Sequence, residues 1–134
     1  MAEDAQSLRI LVVDDNIDGA DVLSVMLSDE GQQVRTAYDG REAMDAASRE
    51  RPDLVFLDIG LPKLDGYEVA RLMRADPGLK DTYLVALTAF GSQADKAKAL
   101  EAGFDMHVIK PIDPATIYAV LEMARKRRDV TKAG

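Results

Sequence analysis

Two hydrophobic periods alternate along this chain, and that alternation constrains the fold more than any other feature. Short apolar runs of β-branched character occupy residues 10–13, 54–57, 83–87 and 106–109, and a weaker one at 33–37 carries Val34 and Thr36. The runs at 10–13, 54–57 and 83–87 are continuously apolar, as strands buried on both faces are. Between the runs lie stripes at helical spacing. Ala20, Leu23, Met26 and Leu27 form the first, closed by Gly31. Ala43, Met44, Ala46 and Ala47 form the second, with Pro52 beyond it, and Val69, Ala70, Leu72 and Met73 form the third. A fourth helix is expected to start from Ser92 as cap, turn Ala97 and Leu100 inward, and stop at Gly103. The last opens on Asp113-Pro114 and carries Ile117, Val120, Leu121 and Ala124 inward. Strand then helix, five times over, predicts an α/β fold: a parallel sheet with helices on both faces. Right-handed crossovers leave few topologies, and the order 2-1-3-4-5 is taken by analogy with small doubly wound sheets.

With 134 residues the chain is the size of one domain. No apolar run approaches the roughly 20 residues of a membrane-spanning helix, and residues 1–7 lack the basic start and apolar core of a secretion signal. There are no cysteines, so disulfides, thiol chemistry and cysteine metal sites are excluded, and a cytoplasmic location is the default. A net charge of −7 argues against a nucleic-acid partner. The basic cluster at 125–128 reads as cations complementing the dipole at a helix C-terminus.

The polar residues that follow the strands carry the functional information. The first strand runs into Asp14-Asp15, the third into Asp58, the fourth into Thr88 and the fifth into Lys110. All C-terminal ends of a parallel sheet share one edge, and ligands bind beyond that edge where strand order reverses. Taken singly, each residue is an ordinary turn, cap or surface group. Taken together, they put three carboxylates, a hydroxyl and an ammonium in one crevice. Clustered carboxylates raise each other's pKa, and Lys110 offsets only one of them. A divalent cation with oxygen ligands is the remedy, Mg²⁺ being usual where phosphate is also bound, with Mn²⁺ as a substitute. A carboxylate beside such an ion can attack phosphorus. Phosphoryl transfer then asks for neutralisation of the equatorial oxygens, which Lys110 and Thr88 can share with the ion.

Over about residues 8–126 the chain resembles the receiver domain of bacterial two-component response regulators, of the chemotaxis-receiver type and similar to receivers of hybrid sensor kinases. The resemblance rests on Ile-Leu-Val-Val-Asp-Asp-Asn at 10–16, Leu-Val-Phe-Leu-Asp-Ile-Gly-Leu-Pro at 54–62 and Leu-Asp-Gly-Tyr-Glu at 64–68. Leu-Thr-Ala at 87–89 and Val-Ile-Lys-Pro-Ile-Asp at 108–113 complete it. It implies a flavodoxin-like receiver domain at 8–128 between tails at 1–7 and 129–134. Asp58 is then the phosphoacceptor, Asp15 a direct Mg²⁺ ligand aided by Asp14, and the Gly60 carbonyl a further ligand alongside Asp58. Thr88 is the switch hydroxyl, and Lys110 the cation that pairs with carboxylates and then with phosphoryl oxygens. The Lys110–Pro111 bond is often cis in relatives.

Three positions depart from the common pattern. His107 stands where many receivers place a switch Tyr or Phe. Gly60 and Phe90 flank the crevice where relatives often carry polar side chains that help water attack, which predicts a relatively long-lived phosphorylated form. The implied partners are a histidine kinase or histidine phosphotransfer protein and a downstream protein. The downstream protein is expected on a face formed by residues 94–102, His107 and residues 118–125, with Tyr118 and Met123 off the inward stripe. With six residues after Arg128, the expected role is a single-domain response regulator acting by protein contact or phosphorelay. The alternatives are a receiver fragment of a hybrid kinase or a phosphorylation-independent interaction module. Asp14-Asp15-Asn16-Ile17-Asp18 is too acidic for a flavodoxin-type phosphate loop, and the chain is too short for the inserted cap of an aspartyl hydrolase.

Overall fold

The computed structural model describes residues 7–61, 65–89 and 93–133. The strands are β1 (Arg9–Val13), β2 (Gln33–Ala37), β3 (Leu54–Asp58), β4 (Tyr83–Thr88) and β5 (Met106–Ile109). The helices are α1 (Ile17–Asp29), α2 (Gly40–Glu50), α3 (Gly66–Ala75), α4 (Gln93–Ala102) and α5 (Pro114–Ala133). All strand pairs are parallel, in the order β2-β1-β3-β4-β5. No helix among the described residues is long and apolar enough to cross a membrane.

Strand alternation sorts the core into two layers. Ile10, Val12, Leu54, Phe56, Val85, Leu87 and Val108 face α1 and α5, meeting Leu23, Leu27, Ile117 and Leu121. Leu11, Val13, Val55, Leu57, Leu84 and Ala86 face the other way, meeting Ala43, Ala47, Val69, Met73, Ala99 and Ala102 of α2, α3 and α4. Because β1, β3 and β4 are covered on both sides, every position from Leu54 to Asp58 and from Tyr83 to Thr88 is buried. β2 lies at one edge and alternates instead.

Local chemistry sets the helix limits. Asn16, Asp39, Asp65 and Asp113 each accept a backbone N–H three residues on, capping α1, α2, α3 and α5. Gly31 and Gly103 stop α1 and α4 with φ of +85° and +108°, which side chains rarely adopt. Ser92, the expected cap of α4, lies outside the described residues.

Three expectations need correction. Leu72 and Leu100 are not core residues but are 47% and 66% exposed, and Ala97 is exposed too. The inner face of α4 is Ala99 and Ala102. With Ala94, Ala97, Ala99, Leu100 and Ala102 spread around it, periodicity could not choose a face, and packing against Phe104 and Tyr67 did. Finally, α5 continues past 128 to Ala133, so residues 125–128 are not at its C-terminus. Arg127 instead makes tertiary bonds to Asp105, and Arg128 to the carbonyl of Ser7.

Candidate functional site

Asp14 directly follows β1, Asp58 ends β3, and these two strands are neighbours where the strand order reverses. Counting alternation from Val12 and Phe56 puts both carboxylates on the α1–α5 side. Lys110 follows β5 and reaches across, donating from Nζ to Asp14 Oδ2 at 2.8 Å and to Asp58 Oδ2 at 3.1 Å. Its backbone N–H is tied to the Thr88 carbonyl at 2.8 Å, which fixes the start of its approach. The Lys110–Pro111 peptide is cis.

The remaining carboxylate oxygens are held from below. Asp58 Oδ1 accepts from the Gly60 N–H at 2.8 Å, and Asp14 Oδ1 from the Asn16 N–H at 3.0 Å. Asp14 and Asp58 are 4% and 8% exposed, whereas Asp15 is open to solvent. Gly66 explains how α3 can start so near Asp58. A Cβ there would lie 2.5 Å from the Asp58 carbonyl oxygen and 2.6 Å from Ile59 Cα, so only glycine permits this approach.

The charge does not balance within the cluster. Burial lifts the Asp58 pKa above its ordinary value; the Gly60 hydrogen bond opposes this, Asp14 adds to it, and Lys110 offsets part. Burial alone would lower Lys110, but its bonds to Asp14 and Asp58 outweigh that and raise it. Carboxylate oxygens of Asp14, Asp15 and Asp58 lie within 4.8 Å of one another. Oxygens on opposite sides of a Mg²⁺ ion are about 4.2 Å apart, so this donor set fits a hard divalent cation.

Thr88 is buried one step beyond Leu87, the register partner of Asp58, and pairs with Ile109. The structure therefore gathers Asp14, Asp15, Asp58, Gly60 and Lys110 directly, and places Thr88 on the adjoining strand end. Phe90 lies outside the described residues. His107 is in β5 on the α4 side, opposite Ala86. Tyr118 is 55% exposed, and its hydroxyl donates to Glu30 Oε2 at 3.0 Å, placing it on the α1 side of α5 rather than beside β5.

Comparison with known proteins decides the family. Residues 10–122 match the model for the response regulator receiver domain. The chain belongs to that family. This receiver is 43% identical over 122 residues to the probable transcriptional regulator ycf27 of Guillardia theta, covering 88% of this chain and 47% of that one. It spans about half the length of the curated relatives named as transcriptional or DNA-binding regulators. Among solved structures it is similar to the chemotaxis protein CheY4 of Vibrio cholerae (TM-score 0.82, 32% identity, 87% of this chain and 97% of that one). It is similar also to the receiver domain of the sensor histidine kinase PA1611 of Pseudomonas aeruginosa (TM-score 0.82, 33% identity, 90% and 98%). That structure has a magnesium ion coordinated in its active-site cleft.

One group of polar residues escaped the sequence reading. At the opposite edge of the sheet, Asp105 bonds both Arg74 and Arg127, at 2.7 and 2.9 Å. Charged residues on two separate helices and in the loop before β5 carry no local signal of such a meeting.

Proposed function

We propose that this receiver is a two-component signalling module that takes a phosphoryl group onto Asp58. The observation that carries the reading is the bridge from Lys110 to both Asp14 and Asp58 in a cluster with more carboxylates than cations. An Asp58 oxygen attacks the phosphorus of a phosphohistidine on a histidine kinase or phosphotransfer protein. The P–N bond breaks, its electron pair returns to the imidazole, and an acyl phosphate forms. Asp14, Asp15, Asp58 and the Gly60 carbonyl would hold Mg²⁺, or Mn²⁺ in its place, which would supply positive charge for the transferring oxygens. Lys110 moves from the Asp58 carboxylate to a phosphoryl oxygen, and the Thr88 hydroxyl donates to another.

The donor must approach over the C-terminal edge. There a cleft of about 390 Å³ runs from Asp14 and Lys110 along Gly19, Val22 and Met26 of α1 to Ile112. Ile17, Val22 and Val25 stand 54%, 61% and 59% exposed on the same helix, an apolar surface for the donor. The downstream partner takes the α4–β5 side, where Leu100 and Ile109 are 66% and 50% exposed.

The test is intact mass after incubation with Mg²⁺ and acetyl phosphate, for wild type and Asp58→Asn. One hydroxylamine-labile, Mg²⁺-dependent adduct, absent from the variant, is expected. An adduct that persists in Asp58→Asn would place the acceptor elsewhere. If a cognate phosphohistidine protein also leaves the wild type unmodified, the reading of a phospho-accepting module fails.

A further inference from the structure

His107 is the chain's single histidine. Met106 and Val108 pack on the α1–α5 side, so alternation turns His107 toward α4. There it borders a cleft of about 290 Å³ with Lys96, Ala99 and Leu100 of α4 and Phe104. The residue as a whole is half-buried. Its ring nitrogens are not: Nδ1 and Nε2 are both shielded from solvent, and neither has a hydrogen-bond partner among the described residues.

A neutral imidazole ordinarily donates through one nitrogen and accepts through the other. Leaving both unmet penalises the closed arrangement against any arrangement that lets water in. Protonation deepens the penalty, since both nitrogens become donors and a charge enters a shielded place. Burial, and then Lys96, hold the His107 pKa below its ordinary 6.5, with Asp95 partly opposing them. Those two charges both come from α4. β4 presents Ala86 to His107, and Asp105, beside the cleft, is engaged by Arg74 and Arg127.

We propose that His107 is a proton-operated latch: neutral, it lets α4 close over β5, and protonated, it must reach water, so that α4 gives way. The face around α4 and β5 then responds to acid without any change at Asp58.

The direction follows from linkage. The opened form binds its proton near the ordinary imidazole value, and the closed form binds it at a lower pH. The closed form is therefore fully favoured above about pH 6.5 and loses ground below it, by up to about tenfold per pH unit until its own pKa is reached.

Two measurements on the whole chain test this. Long-range ¹⁵N NMR follows the single imidazole in wild type, and amide hydrogen exchange follows α4 and β5 from about pH 7.5 to 5.5 in wild type and His107→Phe. The ring is expected to titrate below 6.5. Exchange in α4, corrected for its intrinsic pH dependence, should accelerate toward acid by up to about tenfold per unit in wild type and stay level in His107→Phe. His107→Phe leaves the acidic cluster unchanged, so whatever that cluster contributes is common to both proteins and cancels. A midpoint at or above 6.5, or equal acid acceleration in His107→Phe, overturns the proposal.

Discussion

The two edges of the sheet hold the same kinds of side chain in opposite states of balance. At the N-terminal edge, Asp105 receives Arg74 and Arg127, and also the Leu84 N–H at 2.9 Å. Arg74 spends its other donors on the carbonyls of Gly103, Lys80 and Thr82 at 2.7–2.8 Å, and Arg127 lies over the Tyr83 ring. Each charged group there is engaged, one carboxylate serving two guanidinium groups, and the network joins α3, the approach to β4, the start of β5 and α5. At the C-terminal edge, Asp14, Asp15 and Asp58 cluster, and Lys110 bridges only two of them. A network whose cations are all tied to one carboxylate and to backbone carbonyls serves the fold. A cluster with carboxylates in excess is held in place by the fold and answers to what binds it.

That contrast predicts opposite signs for one kind of substitution. The largest effect is expected at the N-terminal edge, where Asp105→Asn leaves two partly buried guanidinium groups without their carboxylate. A loss of about 3 kcal/mol in urea-unfolding stability is expected. A loss below about 0.5 kcal/mol would rank the network with ordinary surface pairs and dissolve the contrast.

Gly66→Ala probes how tightly the acidic edge is built. Its Cβ would collide with the backbone of Asp58 and Ile59, so α3 must move. A cost of about 2 kcal/mol, together with weaker Mg²⁺ binding by titration calorimetry, is expected. Full stability with unchanged Mg²⁺ affinity would show that the close approach does not position Asp58.

A smaller effect of the opposite sign is expected from Asp58→Asn. Because burial and Asp14 disfavour its charge, removing that charge should stabilise the protein in chelator by about 1 kcal/mol, and added Mg²⁺ should shrink the gain. The sign check agrees with the raised pKa: the ionised form is the one the fold disfavours, so its cost is present at neutral pH and relieved as pH falls through the folded value. Destabilisation in chelator would mean that Lys110 already balances the cluster.

The smallest change concerns lifetime. A Cβ at position 60 would sit 3.4 Å from Asp58 Oδ1, close enough for a polar side chain to reach the phosphoryl group. Gly60→Asn is expected to shorten the half-life of the phosphorylated form severalfold, followed by loss of the mass adduct; an unchanged decay would remove Gly60 from the account of persistence.

Much of this was legible in the chain. The apolar runs marked all five strands to within a residue at either end, because a strand covered on both faces must be apolar throughout. The polar residues after those runs named the edge at which the carboxylates and Lys110 gather, because a parallel sheet brings all its C-terminal ends together. The stops at Gly31 and Gly103 and the cap at Asp113 act through neighbours in sequence, so local chemistry sufficed for them.

What the sequence could not settle were choices between equivalent local options. The inner face of α4 was one, since alanines on several sides make every rotation about equally apolar until Phe104 and Tyr67 select Ala99 and Ala102. The fate of the basic cluster in α5 was another: only the packed helix carries Arg127 to an aspartate 22 positions away. The bridge from Lys110 to Asp14 spans 96 positions, and the shielding of His107 depends on a helix that closes over it. The sequence by itself determined the elements and the edge at which the acidic residues and the lysine collect, because these follow from the period and order of side chains along one strand or helix. Which charges meet, and which are left in excess, was decided by the tertiary structure, because those energies depend on distances between groups remote along the chain.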